Sequence, residues 1–148
     1  SDMTAERLQQ LLDFEPPLVA CVVSDRNFSF RALRATKECV LNVPPARLAK
    51  KVVACGNSSG SETDKFETIG LTPDPAREVS APLVEVCFAS LECRVVDTRN
   101  VSRYGLFVLE VVKAWIDPAR EGARTLHHRG MGEFMVSGRT LRLPSRAK

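Results

Sequence analysis

The sequence predicts a mainly β protein with helices inserted between its early strands, an antiparallel barrel rather than an alternating βαβ sheet. Three observations carry this. Leu83 to Val96 and Leu106 to Ile116 are long β-branched and aromatic runs, only Asp97 to Gly105 separates them, and the tail offers a further hairpin around Ser137-Gly138. At 148 residues, 44% of them apolar, residues 1–148 read as one domain able to bury a core without disulfides or a structural metal.

Taken in order, Thr4 to Leu12 alternates charge and leucine at helical spacing, with Leu8, Leu11 and Leu12 on one face, and Glu15-Pro16-Pro17 stops that helix. Leu18 to Val23 is a buried strand that empties into the polar turn Ser24-Asp25-Arg26-Asn27. Ser29 caps a helix from Phe30 to Lys37, and Glu38 to Val43 is a second buried strand. Pro45 opens a helix through Ala54, with Leu48, Val52 and Val53 inward. A helix from Ser61 to Ile69 ends at Gly70, and Leu71 to Ala81 crosses the surface as a loop. Leu83 to Val96 then forms one strand with a bend or bulge near Ser90, and Leu106 to Ile116 returns beside it. The tail pairs Glu133–Val136 with Arg139–Arg142 across Ser137-Gly138.

The net charge is only +3, its excess gathered in Arg139, Arg142, Arg146 and Lys148, which reads as a solvated strand face rather than a nucleic-acid surface. With no apolar run long enough for a bilayer and no basic-then-apolar leader, the expectation is a soluble, cytoplasmic protein without a membrane partner. The cysteines, Cys21, Cys39, Cys55, Cys87 and Cys93, are scattered through apolar contexts and read as buried, reduced thiols. No pair has C-x-x-C spacing, and His127-His128 places its imidazoles on sequence neighbours, so no zinc site is expected. A cysteine nucleophile served by His127 or His128 has no support in the sequence, and no catalytic side chain is assigned.

The stretch Cys55-Gly56-Asn57-Ser58-Ser59-Gly60-Ser61-Glu62-Thr63-Asp64-Lys65-Phe66 crowds hydroxyls, glycines, an acid, a base and an aromatic into one turn. Ser58, Ser59, Gly60 and Ser61 can aim backbone N–H groups at one anion beside a helix N-terminus. The alternative is an ordinary helix start, with Ser61 as cap and Asp64 completing a capping box. Neither a dinucleotide fingerprint nor a phosphate loop ending in Gly-Lys-Ser/Thr is present.

Further stretches share an order and spacing. Phe14-Glu15-Pro16-Pro17-Leu18-Val19, Arg26-Asn27-Phe28-Ser29-Phe30 and Glu38-Cys39-Val40-Leu41-Asn42-Val43-Pro44 precede Cys55-Gly56, Ser59-Gly60 and Asp64-Lys65-Phe66. Gly70-Leu71-Thr72-Pro73, Leu91 to Val96, Leu106 to Val112, His128-Arg129-Gly130, Gly132 to Val136 and Leu143-Pro144-Ser145-Arg146 follow. From about Phe14 to Lys148 this order resembles the flavin reductase-like family.

The resemblance implies an FMN-binding split β-barrel of antiparallel Greek-key type, with FMN as cofactor and NADH or NADPH as hydride donor. It implies that reduced flavin passes to a partner enzyme or acceptor, and that a homodimer places each flavin near the subunit interface. A non-catalytic carrier of FMN, or of a related ligand such as heme, is the alternative, and a barrel serving only assembly is a third reading. In the family pattern the Ser29 hydroxyl holds the FMN phosphate, with Arg26 and Asn27 assisting, and Asn42 supports the phosphate loop. Ser58 and Ser59 join the cofactor set, while Lys65 stands near the flavin's N1–C2 carbonyl edge. Tyr104 occupies a position where related proteins often carry histidine, Phe134 matches an aromatic near the ring, and His127 or His128 lies at its edge. Plain alternatives stand beside these: a helix cap for Ser29, a solvated lysine for Lys65, barrel or interface packing for Tyr104 and Phe134, and a surface role for His127 or His128.

Two departures accompany the likeness. The family's opening strand hairpin has no counterpart in this sequence, and Ser1-Asp2-Met3-Thr4 resembles its Asn-x-Met-Thr segment with serine in place of asparagine. Ser61 replaces an arginine often found after Ser-Gly.

Overall fold

A computed structural model describes residues 11–57, 64–120 and 124–146. In chain order its elements are β1 (Leu11–Phe14), β2 (Pro17–Val22), α1 (Phe28–Thr36), β3 (Glu38–Val43), α2 (Ala49–Asn57), α3 (Lys65–Ile69), β4 (Pro73–Asp74), β5 (Leu83–Val84) and β6 (Ala89–Asp97). They continue with α4 (Val101–Tyr104), β7 (Leu106–Ile116), β8 (Leu126–Gly130) and β9 (Glu133–Val136), with short 3₁₀ turns at Ala46–Leu48 and Pro118–Arg120. The main sheet runs β1-β2-β7-β6-β3, antiparallel throughout, and β4–β5 and β8–β9 are separate two-stranded ribbons.

β7 shows how the sequence pattern becomes a core. Phe107, Leu109 and Val111 alternate onto one face, where they meet Leu91 and Cys93 of β6 and Val101 of α4. Phe30 and Leu33 of α1 cover this face, and the Phe30 ring meets Phe107 edge-on with centroids 5.6 Å apart. The alternation then changes parity. Lys113 pairs with Glu92 but Val111 pairs with Cys93, so Val112 is the extra residue of a bulge and Ala114 and Ile116 turn inward after it. A second irregularity between Val95 and Asp97 leaves Val96 half exposed at the sheet's end.

The opposite face is organised by one carboxylate. Glu92 is completely buried. Its Oε1 accepts the backbone N–H groups of Arg77, Glu78 and Val79 at 3.0, 2.6 and 3.2 Å, and its Oε2 accepts the Trp115 indole N–H at 2.6 Å. The loop is pinned twice more, by Arg94 Nη2 donating to the Glu78 carbonyl at 2.8 Å and by Ser80 N–H donating to Glu38 at 3.0 Å. Around the buried Val79 side chain the loop is thus held by charge-assisted hydrogen bonds.

Several elements differ from the sequence reading. Leu11 and Leu12 belong to strand β1, paired with β2 around the Glu15-Pro16 turn, rather than to the end of a helix; residues 4–10 of that expected helix lie outside the described residues. Leucines at positions that satisfy either period cannot choose between them, and the partner strand decides. Ser29 does not cap α1: the helix starts at Phe28 with Asn27 at the N-cap, which puts Ser29 inside the first turn. The helix expected from Ser61 begins at Lys65, where Asp64 accepts from Phe66 and Glu67 N–H groups at 3.0 and 3.4 Å; Ser61 itself lies outside the described residues. Gly70 ends α3 with φ +74°, as expected.

Leu83 to Val96 is not one strand, because Glu85 to Phe88 separates β5 from β6. The tail hairpin is displaced: β9 pairs with β8, and Gly130, Met131 and Gly132, all at positive φ, make the turn. Residues 137–146 form no strand, so Arg139 to Arg142 is not a hairpin arm. Two glycines flanking one residue meet the turn's backbone demand better than Ser137-Gly138 does.

Candidate functional site

The end of β2, the turn after it, α1 and α4 enclose a cleft of about 430 Å³. Val22, Val23, Ser24 and Asp25 form one wall, Phe30 and Arg34 of α1 a second, and Val101 to Gly105 a third. The turn is tied by Asn27 N–H to the Ser24 carbonyl at 3.0 Å and by Arg26 N–H to Ser24 Oγ at 3.3 Å. Arg103 lies over the Tyr104 ring, 5.1 Å from its centroid, and Tyr104 is 57% exposed. The cleft therefore pairs a wet aromatic with two guanidinium groups.

The N-terminus of α1 stands next to this cleft. Asn27 occupies the N-cap, yet its side chain makes no cap hydrogen bond, and no acidic residue sits in the first turn. Arg26, Asn27 and Ser29 are all exposed there, and the Ser29 hydroxyl bonds to none of the described residues. First-turn amides, a hydroxyl, an amide side chain and a guanidinium suit a phosphate dianion chemically. The residues expected to hold the FMN phosphate thus fit such a group.

Of the remaining expected site residues, Asn42, Lys65 and Phe134 are elsewhere in the subunit. Leu106, at the cleft end of β7, pairs with Val22, whereas Ile116, at its far end, pairs with Ala89, itself opposite Val43. An 11-residue strand, β7, spans roughly 34 Å at about 3.4 Å per residue. Asn42 sits near that far end, and its Oδ1 accepts from Val84 N–H at 3.0 Å and Ser90 Oγ–H at 2.8 Å. Asn42 therefore fastens β5 to the sheet, at the opposite end of β7 from the Arg26–Ser29 turn. Its partners border a recess of about 150 Å³ also lined by Cys87 and Trp115.

Lys65 is neither a free lysine nor a neighbour of the cleft: its Nζ donates to the Cys55 carbonyl in the last turn of α2 at 2.7 Å. A cation at a helix's terminal carbonyls complements the dipole. Lys65→Ala is accordingly expected to lower unfolding stability by about 1 kcal/mol, read from a denaturant midpoint. Phe134 stacks on His128 at 4.8 Å across the β8–β9 ribbon, and His127 Nε2 lies 3.3 Å from Thr125 Oγ1. This ribbon is joined to the start of the Ala46–Leu48 turn through Ala46 N–H and the Arg124 carbonyl at 2.7 Å. Ser58 and Ser59 lie outside the described residues.

The profile described as "Flavin reductase like domain" matches residues 3–134. The chain belongs to this family. Among solved structures, an FMN-binding domain of a flavin reductases-like enzyme from Shewanella baltica OS155 superposes with a TM-score of 0.83 at 24% identity, over 90% of this chain and 78% of that one. A Streptomyces globisporus C-1027 NADH:FAD oxidoreductase gives 0.73 at 22% identity, over 88% and 74%. These likenesses establish the split-barrel fold. By sequence, an uncharacterised protein of Archaeoglobus fulgidus is 32% identical over 101 residues, 68% of this chain, and the match covers 57% of its length. Among the described residues no helix is long and apolar enough to cross a membrane, and no group of histidine, cysteine, aspartate and glutamate is arranged to hold a metal.

Sequence reasoning missed Ser24, Asp25, Arg34, Ser102 and Arg103 as cleft residues. Arg34 and Arg103 carried no motif. Only the α1 periodicity that buries Phe30 and Leu33 could have set Arg34 to one side of the helix.

Proposed function

We propose that this flavin reductase-like chain binds FMN and serves hydride transfer from NADH or NADPH to it. The observation that carries the reading is the open N-terminus of α1, where Asn27, Ser29 and Arg26 gather beside the Tyr104 cleft. These residues hold the phosphate, and the guanidinium groups of Arg34 and Arg103 supply positive charge along the cleft. When bound, FMN supplies the hydride-accepting ring, and its reduced form passes to a partner enzyme or acceptor. The chain's share is position and electrostatics, so no acid–base pair is required of it.

A homodimer accounts for the division of the expected site between the two ends of β7. A second subunit then brings its Asn42, Lys65 and Phe134 end toward the first subunit's cleft, with the flavin near the interface. The experiment is steady-state NADH and NADPH oxidation with added FMN. A flavin-dependent rate is expected; its absence with both nucleotides, when FMN still binds tightly, assigns the barrel to carriage without turnover. Ser29→Ala and Arg26→Ala are each expected to weaken FMN binding about tenfold, roughly 1.4 kcal/mol, in a fluorescence-quenching titration. Unchanged affinity in both variants removes α1 from the phosphate site.

A further inference from the structure

Cys39 of β3 and Cys93 of β6 are directly opposed in an antiparallel pair whose register runs without a shift from Glu38 to Val43. Val95 N–H donates to the Lys37 carbonyl at 2.8 Å, and alternation along the ladder gives Cys39 and Cys93 the same closely bonded geometry two residues on. Such pairs have Cα atoms about 5.5 Å apart, within the range that disulfides adopt. Both side chains enter the same α1-covered core. The Cys93 S–H also has the Leu91 carbonyl as an acceptor, at 3.5 Å.

The two sulfurs differ in access. Cys93 is completely buried, whereas Cys39 lies on an edge strand and is half-buried. From these positions we infer that Cys39 and Cys93 form a reversible cross-strand disulfide when the protein meets hydrogen peroxide. The hydrogen bond from Cys93 draws Cys39 below the ordinary thiol range against the opposing effect of burial. The same contact, with burial added, pushes Cys93 far up, so Cys39 is the more readily ionised of the two and Cys93 keeps its proton.

The Cys39 thiolate attacks one peroxide oxygen, the O–O bond breaks, and sulfenic acid and hydroxide are produced. The Cys93 sulfur then attacks the Cys39 sulfur. The S–O bond breaks, the S–S bond forms, and the Cys93 proton leaves with the departing hydroxide as water. The pair thus loses two electrons to one peroxide, which ends as one water and one hydroxide, and the hydroxide takes up the proton that Cys39 released on ionising. Cys21, also packed against this core, is pushed up by its own burial first and by Cys39 second, which keeps it a thiol and a poor competitor for peroxide. The bond ties edge strand β3 covalently to its neighbour β6.

The test is peptide mapping of the folded, full-length chain after peroxide treatment and alkylation of the remaining thiols. A linked Cys39–Cys93 peptide is expected, disappearing on addition of dithiothreitol. Recovery of Cys93 as the alkylated thiol while Cys39 carries sulfinic acid overturns the inference, as does a link through Cys21. In Cys93→Ala, trapping by dimedone at Cys39 is expected to rise at least tenfold over wild type; an unchanged yield also overturns it. If that variant does not fold, the wild-type map decides alone.

Discussion

Replacing Glu92 with alanine is expected to cost about 3–5 kcal/mol of unfolding free energy, because several donors lose their acceptor at once and each one left buried and unsatisfied costs about 1–3 kcal/mol. Three backbone donors of the Arg77 to Val79 loop and the Trp115 indole would lose their acceptors together. Glu92→Gln keeps the volume but turns an NH₂ toward donors, with an expected loss of about 2–3 kcal/mol. The pH dependence follows from the same bonds. Burial pushes the Glu92 carboxyl up, but the Trp115 hydrogen bond and those of Glu78, Arg77 and Val79 more than offset it and hold it below the ordinary glutamate range. A depressed carboxylate stabilises the fold fully above its unfolded pKa, near 4.3, and this contribution fades as pH falls through the folded value. The urea midpoint of wild type should therefore fall below about pH 4.3, and Glu92→Gln should flatten that slope. A wild-type slope retained in Glu92→Gln would assign the acid sensitivity to another carboxylate.

Glu92 also marks where the sequence stopped being legible. The strands around it were readable because Leu91, Cys93, Phe107, Leu109 and Val111 obey a period of two. A glutamate in such a run reads as solvent-facing, and only the loop folded over that face reveals its burial. Val112 likewise carries no composition that announces a bulge, yet it reverses the inward parity for the last residues of β7. Periodicity describes a strand against water; it is silent about what else the chain lays on the strand.

The site divided along the same line. Tyr104 and the Arg26–Ser29 turn come to one end because β2 and β7 pair Val22 with Leu106, a local and regular relation. Lys65 was singled out for its order among motifs, but its hydrogen bond to Cys55 depends on how α3 returns against α2. Asn42 is similar, since its acceptor role requires Val84 and Ser90, both remote in sequence.

Gly105 joins fold and cleft most tightly, and its substitution gives the second large expected effect. Its φ is +63°, and a Cβ built there would lie 2.4 Å from the Val23 carbonyl oxygen. The same two residues are bonded, Val23 N–H donating to the Gly105 carbonyl at 2.9 Å, so neither backbone can retreat without breaking the junction of β2 with α4. Gly105→Ala is expected to lose about 1–2 kcal/mol to the left-handed conformation and a further 1–3 kcal/mol to overpacking. Gly70→Ala provides the contrast, because φ is +74° there but the nearest atom is the mobile end of Lys51 at 3.7 Å. Its loss should stop at the conformational part, so the difference between the two variants isolates the close approach. Because Val23 and Gly105 both line the cleft beside Tyr104, Gly105→Ala should also weaken FMN binding under conditions where the variant remains folded, whereas Gly70→Ala should not. Equal FMN affinity in both variants, with folding verified by circular dichroism, would show that the cofactor does not use the cleft between α1 and α4.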